Sequence, residues 1–163
     1  TAMAKATESR SHFIKTGLVA QNRRARYDYE ISDEQEAGLV LTGTEVKSLR
    51  YGKAQINDAY AMVENGEVWL LNASIQPYAM GNIHNHEERR PRKCLLKQRQ
   101  IKKWGGALAT KGMTLVPIKL YFNEKGVAKI LLGLGKGKRE FEKRDTIKER
   151  DWSRQKANIM RNR

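Results

Sequence analysis

The sequence predicts a mainly β fold, a small closed barrel of about six strands with two or three flanking helices and a basic C-terminal tail. Three observations point there. Glu64-Asn65-Gly66-Glu67 and Asn123-Glu124-Lys125-Gly126 each separate two apolar runs, as hairpin turns do. Tyr27, Tyr29 and Ile31 alternate with Asp28, Glu30 and Ser32, the period-two signature of a strand. A chain of 163 residues with 39% hydrophobic content also supplies one modest core, not two.

Residues 1–21 are polar with little periodicity and predict a disordered arm. β character starts at Arg26, and Ala37 to Leu41 is a second short strand, stopped by Thr42-Gly43. Thr42 or Thr44 caps a short helix to about Tyr51; Val46 and Leu49 lie on one side of it and Gly52 ends it. Ala59 to Val63 and Val68 to Leu71 flank the Asn-Gly turn. Pro77 and Gly81 interrupt any regular element after that hairpin, and residues 81–93 read as a basic loop. Leu95 to Ala109 is the longest helical candidate, because Leu95, Ile101, Trp104 and Leu108 fit a 3.6-residue period. Gly105-Gly106 weakens its end by about 1 kcal/mol per glycine. Met113 to Phe122 and Val127 to Leu134 form the second hairpin, with Pro117 expected at an edge or bulge. Meander hairpins closed into a barrel hide their edges. The OB type of barrel commonly binds oligonucleotides or structured RNA. The expected organisation is a disordered arm over 1–21, an OB-like barrel over 22–134, and a tail over 135–163. The tail is disordered alone and helical on a partner, since Phe141, Trp152 and Ile159 make a stripe too thin for a core.

The net charge is +14, and its distribution is uneven. Residues 1–26 carry +5, 27–86 carry −6, 87–112 carry +7, 113–134 carry +2 and 135–163 carry +6. Separate basic blocks around an acidic stretch point to several contacts with an anionic partner, as in a large RNA assembly. A membrane partner is not expected: nothing amphipathic with a broad apolar face accompanies the charge, and no apolar run is long enough to span. Phe13-Ile14 and Leu18 to Ala20 are too brief for a secretory core, so a cytoplasmic setting is expected.

Signals for chemistry are weak. Gly133-Leu-Gly-Lys-Gly-Lys138 is not a phosphate loop: no glycine stands five residues before Gly137, and Arg139 occupies the Ser/Thr position. Its glycines either bring backbone close to RNA or end a strand, and Lys136 and Lys138 either contact phosphate or are solvated. His84 and His86 have no third partner at metal-ligand spacing, so no metal is expected. Cys94 is the single cysteine; it excludes an internal disulfide, and Leu95-Leu96 beside it favour core packing. No catalytic constellation and no cofactor loop stand out, so no enzyme is expected.

Several segments together resemble one family. They are Asn22-Arg-Arg-Ala-Arg-Tyr-Asp-Tyr29, Leu41-Thr-Gly-Thr-Glu-Val-Lys-Ser-Leu-Arg50, Pro77-Tyr with Gly81-Asn, Arg92-Lys-Cys-Leu-Leu96, Lys111-Gly-Met-Thr-Leu-Val-Pro117, Gly133-Leu-Gly-Lys-Gly-Lys138 and Ile147-Lys-Glu-Arg150. Their ordered set, from about Gln21 to the C-terminus, resembles SmpB, the SsrA-binding family that partners tmRNA. The resemblance implies an OB-like barrel that binds the tRNA-like domain of tmRNA and delivers it to stalled ribosomes for trans-translation. The barrel stands in for the missing anticodon arm, and the tail probes the empty mRNA channel by the small-subunit decoding centre. Elongation factor Tu is implied as a partner through tmRNA. A structural ribosomal or assembly protein is the alternative reading.

By the same resemblance Asn22, Glu36, Leu95 and Lys129 hold the tRNA-like elbow, in the company of Arg23, Arg24, Tyr27, Lys97, Lys136 and Lys138. Glu36 accepts from guanine N1–H and N2–H or orients an arginine; a plain rim carboxylate is an equal reading. Tyr27 stands where many members have histidine, and an aromatic ring there still stacks on a base. Lys97 stands where members often carry Asn or His. In the tail, Glu142-Lys143-Arg144 matches a triplet that usually begins with Asp. Lys148, Arg150, Trp152, Ile159 and Met160 fall on positions that support tail function on the ribosome.

Overall fold

The computed structural model describes residues 13–79, 84–138 and Arg154. Nine strands and three helices occupy those residues. The strands are β1 (Gly17–Gln21), β2 (Tyr29–Leu39), β3 (Ala54–Gln55), β4 (Tyr60–Glu64), β5 (Glu67–Leu71), β6 (Ser74–Ile75), β7 (Arg92–Leu95), β8 (Met113–Phe122) and β9 (Ala128–Gly137). The helices are α1 (Ala25–Asp28), α2 (Gly43–Arg50) and α3 (Gln98–Leu108). The fold is mainly β, as expected. Seven strands pair in the order β1-β8-β4-β5-β7-β2-β9, with an additional β8–β9 pairing, and β3 pairs β6 separately.

Both hairpins form where the turn chemistry places them. β4 and β5 close on Glu64 opposite Glu67, with Asn65 and Gly66 both at positive φ, the backbone a two-residue hairpin needs. β8 and β9 join through Asn123, whose Oδ1 accepts from the N–H groups of Lys125 and Val127. The register shifts between Pro117 and Lys119, so the proline sits at a bulge. Along β9, Ile130, Leu132 and Leu134 are buried inside while Lys129 points outward. They meet Leu115, Leu120, Val68, Leu70 and Leu49 in the core. Cys94 is buried among them, and that burial pushes its thiol up to about 12.

α2 begins with a capping box. Thr42 Oγ1 accepts from the Glu45 N–H, and Glu45 Oε1 accepts from the Thr42 N–H at 2.8 Å. His86 is pinned beside it: Nδ1 lies 2.9 Å from Thr44 Oγ1 and Nε2 lies 2.8 Å from the Ile75 carbonyl. Arg50, in the last turn of α2, donates to the carbonyls of Ile14, Lys15 and Gly126 and stacks 3.8 Å from the Phe122 ring centroid. One guanidinium thus joins the N-terminal segment to the β8–β9 turn.

Four expectations need correction. Residues 17–21 are strand, not part of a disordered arm. β8 has ten residues, and its second half needs a partner that Gly17 to Gln21 supplies by pairing with residues 119–122. The strand expected from Arg26 begins instead at Tyr29. Asn22 folds the chain into α1 by accepting from the Arg24 N–H through Oδ1 and from the Ala25 N–H through its carbonyl. β2 then runs unbroken to Leu39, merging two expected strands. The long helix starts at Gln98, not Leu95. Leu95 pairs with Gly38 because β7 must satisfy the backbone groups of both β5 and β2. Finally, β9 continues to Gly137, past the expected boundary at 134.

Of the β9 glycines, Gly133 and Gly135 lie inside the strand against close neighbours, while Gly137 ends it with open space around it. A Cβ at Gly133 would sit 2.8 Å from both Ile118 Cδ1 and Ile31 Cγ2. One at Gly135 would sit 3.0 Å from Tyr29 Cβ. Their smallness lets Tyr29, Ile31, Val116, Ile118 and Ala25 form a second apolar cluster on the outer side of the strands.

Candidate nucleic-acid interface

The register builds the site. Gly38 on β2 stands opposite Leu95 of β7 on one side and Lys129 of β9 on the other. Lys129 in turn stands opposite Tyr121 of β8. Four neighbouring strands therefore carry one row, Leu95, Gly38, Lys129 and Tyr121. Glu36, two residues along β2, shares the outward face of Gly38. Gly38 is small for a reason: a Cβ there would lie 3.3 Å from Leu95 Cβ, so Leu95 lies across it. Leu95 is still 52% exposed, an apolar patch left open in a polar setting.

Glu36, Gly38, Leu95 and Lys129 line a cleft of about 470 Å³, with Lys97, Arg99 and Gln100 of the α3 start forming the opposite wall; Tyr121 stands at its edge, beyond Lys129. Lys97 is the N-cap of α3; its ammonium, a donor only, cannot cap the helix N–H groups, and the side chain is exposed. The N-terminal N–H groups of α3 add partial positive charge beside the two exposed cations. A cleft with an apolar floor, cationic walls and one carboxylate has the parts for RNA. The cations take phosphate, the leucine takes the flat of a base or sugar, and the carboxylate takes base N–H donors.

Among the described residues Glu36 pairs with no arginine. Its Oε1 accepts from the Tyr121 hydroxyl at 2.5 Å. Burial, then the hydrogen bond to Glu36, raises the Tyr121 phenol above its ordinary value, so it stays a donor. Tyr121 was not among the expected site residues. Its signal was present: Lys119 and Tyr121 alternate with Ile118, Leu120 and Phe122, which sets a cation and an aromatic on the outer face of β8. Lys119 Nζ lies 5.4 Å from the Tyr121 ring centroid.

The expected residues divide into two groups. Glu36, Leu95, Lys97 and Lys129 meet in the cleft. Asn22, Arg23, Arg24, Tyr27, Lys136 and Lys138 lie toward the other end of β2, where Tyr29 pairs Gly137 and Glu30 pairs Lys136. Nine residues of strand separate the two ends, on the order of 30 Å. Asn22 is buried, and its Nδ2 donates to the Pro117 carbonyl at 3.2 Å, so it shapes the backbone. Arg24 lies 5.4 Å from the Tyr27 ring centroid and 3.7 Å from Asp28. Lys138 Nζ donates to the Arg26 carbonyl at 2.8 Å, while Lys136 is exposed. A second cleft, about 580 Å³, opens beside Arg24 and Asp28. Glu142, Lys143, Arg144, Lys148, Arg150, Trp152, Ile159 and Met160 lie outside the described residues.

Not every basic residue of the 87–112 block faces outward. Arg92 is fully buried, bonded through Nε to Glu45 Oε2 and donating to the carbonyls of Ala73 at 2.8 Å and Glu88 at 3.0 Å. Arg90 NH2 reaches the same carboxylate at 2.5 Å. Among the described residues no group of three His, Cys, Asp or Glu is placed to hold a metal ion, and no helix is long and apolar enough to cross a membrane.

The fold and the cleft define a class, a small, basic, mainly β protein whose outer sheet face carries donors and acceptors suited to RNA. The chain belongs to the SmpB family: the family model described as SmpB protein matches residues 19–162. It is 57% identical over 149 residues to the SsrA-binding protein of Novosphingobium aromaticivorans, covering 91% of this chain and 93% of that one. It is 58% identical over 151 residues to the SsrA-binding protein of Sphingomonas elodea, covering 93% and 94%. A solved chain described as "tmRNA-SmpB: a journey to the center of the bacterial ribosome" is 46% identical. It superimposes with a TM-score of 0.64 over 82% of this chain and 94% of that one.

Proposed function

We propose that this chain is the RNA-binding adaptor of trans-translation: it binds the tRNA-like domain of tmRNA and brings it to stalled ribosomes. The observation that carries this is the convergence of Glu36, Leu95, Lys97 and Lys129 in one cleft. They come from β2, the β7–α3 junction and β9, three stretches far apart in sequence. The family and the SsrA-binding relatives support the same reading. The adaptor holds RNA and makes no bonds itself. It works in the cytoplasm, where ribosomes translate, and elongation factor Tu joins through tmRNA.

We also propose that the described strands form a closed, OB-like barrel. The support is the β8–β9 pairing, which joins the strand at one end of the order to the strand one place in from the other end. In this reading the barrel replaces the anticodon arm. The cleft end of β2 meets tmRNA, with Lys129, Lys97 and Arg99 on phosphate. The tail after Gly137 reaches the small-subunit decoding centre and mRNA channel through Glu142, Lys143, Arg144, Lys148, Arg150, Trp152, Ile159 and Met160. The basic residues near α1, Arg23, Arg24, Lys136 and Lys138, extend the RNA contact toward that exit, with the Tyr27 ring stacking on a base and Asn22 holding the turn.

The test is binding in matched salt. The tRNA-like domain of tmRNA should bind far more tightly than a random RNA of equal length, and equal affinity refutes the proposal. With about six phosphates neutralised, the log–log slope of affinity against salt should be on the order of −4 to −5. Removing the residues after Gly137 should leave tmRNA binding within about twofold, since the cleft is intact, yet abolish tagging on stalled ribosomes. Loss of both together contradicts the division between cleft and tail.

A further inference from the structure

We infer that Tyr121 is a positioning residue that sets specificity in the RNA cleft, holding the Glu36 carboxylate so that its remaining acceptor sites face the N–H donors of a base. This rests on the proposed reading of the cleft as the tmRNA site.

β8 and β2 do not pair with each other along this stretch; β9 runs between them. The bond from Tyr121 to Glu36 reaches diagonally across β9, from the residue opposite Lys129 to the residue opposite Leu131. Long side chains on one outer face span such diagonals. A glutamate on an exposed strand otherwise samples several rotamers. One of them would bring the carboxylate toward Lys129, which faces Gly38 two residues along, and would cancel the charge that phosphate needs. The phenol removes that option. It supplies a charge-assisted O–H···O⁻ bond, and its own ring is steadied by Lys119 on the same strand.

The geometry also sets what is recognised. With one lone pair of Oε1 taken by the phenol, Glu36 keeps Oε2 and the second lone pair of Oε1. That is an acceptor pair of fixed direction. An unpaired guanine presents N1–H and N2–H side by side and fits it; a uracil edge, with its carbonyls, does not. Leu95 and Gly38 beside it give the base an apolar surface to lie on. Glu36 lines both this cleft and a third, of about 820 Å³, and Tyr121 lines that third one, so the phenol reaches Glu36 from the neighbouring depression.

The experiment is a double-mutant cycle on the full chain, using Tyr121→Phe, Glu36→Gln and the double variant. Affinity is read for the tRNA-like domain of tmRNA and for a random RNA of equal length. Tyr121→Phe should weaken binding to the tRNA-like domain about five- to tenfold and leave the random RNA and the melting temperature unchanged. In the Glu36→Gln background the same change should add less than about twofold. If Tyr121→Phe stays within twofold of wild type while Glu36→Gln weakens binding, the inference falls and the tmRNA reading stands. Equal loss in both backgrounds means the hydroxyl does not act through Glu36, and also overturns the inference. If Glu36→Gln itself changes nothing, the role given to Glu36 in the cleft fails, and the inference with it. Parallel loss on both RNAs marks a folding defect and refutes a specificity role.

Discussion

Glu45→Ala should lower the unfolding free energy by about 3–5 kcal/mol, a large part of the 5–15 kcal/mol typical of a domain. Both Glu45 and Arg92 are fully shielded from solvent. The carboxylate takes the Arg92 Nε on one oxygen, and on the other the Arg90 guanidinium and the Thr42 N–H. Without it, Arg92 keeps its carbonyl partners at Ala73, Glu87 and Glu88 but loses its counter-charge inside the fold. An uncompensated buried cation is the costly outcome, more than the loss of the pair itself. Replacing both members, Glu45→Leu with Arg92→Met, should therefore recover much of the deficit. Urea denaturation of the three proteins decides it; a loss under about 1 kcal/mol for Glu45→Ala would show that Arg92 is not desolvated there.

The same carboxylate gives a pH dependence. Burial by itself would raise the Glu45 pKa; hydrogen bonds from Arg90, the Thr42 backbone and Arg92 outweigh it, and the net value lies below the ordinary 4.5. A depressed carboxylate contributes stability that is present above its unfolded pKa and lost as pH falls through the folded one. Glu45→Ala should flatten the acid limb below the ordinary value while lowering the neutral plateau. The effect reaches the cleft because Arg92 begins β7 and Leu95, on the cleft floor, ends it.

Much of this was legible in the sequence where the information is local. Asn65-Gly66 specified its hairpin because only residues tolerant of positive φ fit that turn. Thr42 with Glu45 specified the α2 start through a bond that spans three residues. What escaped was decided by partners distant in sequence. Gly17 to Gln21 has no strong strand pattern, and it becomes β1 because the far half of β8 is open beside it. Leu95 fits a helical period with Ile101 and Trp104, yet sheet pairing with Gly38 removes it from the helix. The site was half legible. Family motifs marked Glu36, Leu95, Lys97 and Lys129, and the cleft unites them. Arg99 and Gln100 of the cleft, and Tyr121 that bonds Glu36 beside it, were missed, because they depend on the α3 start and on a register across three strands. The block sum over 87–112 also overstates the charge offered to a partner, since Arg92 is buried and spent on Glu45.

Trp104→Ala should be as damaging, about 3–5 kcal/mol, because the indole is fully buried and its removal leaves a cavity where α3 meets the strands. Trp104→Phe separates packing from polarity. The indole Nε1–H donates to Asp33 Oδ2 at 2.8 Å, and Gln100 and Lys103 approach the same oxygen at 3.3 and 3.4 Å. The Trp104 hydrogen bond is the largest influence on Asp33, whose pKa falls below the ordinary 3.8 despite an opposing cost of burial. The phenylalanine variant should lose about 1 kcal/mol at neutral pH. That difference should shrink as pH falls through the folded Asp33 pKa, where the wild type loses the same stabilisation. A difference between the two proteins that does not change across the acid limb would mean that Asp33 is not held by the indole. The bond matters for function because Asp33 lies at the β2 bulge and Gln100 lines the cleft. Trp104 and Asp33 thereby fix the rotation of α3 that sets Lys97 and Arg99 in the cleft. Trp104→Phe should accordingly weaken binding to the tRNA-like domain several-fold in a fully folded protein, with the salt slope falling by about one if one cation drops out of contact. An unchanged affinity would detach α3 orientation from RNA recognition.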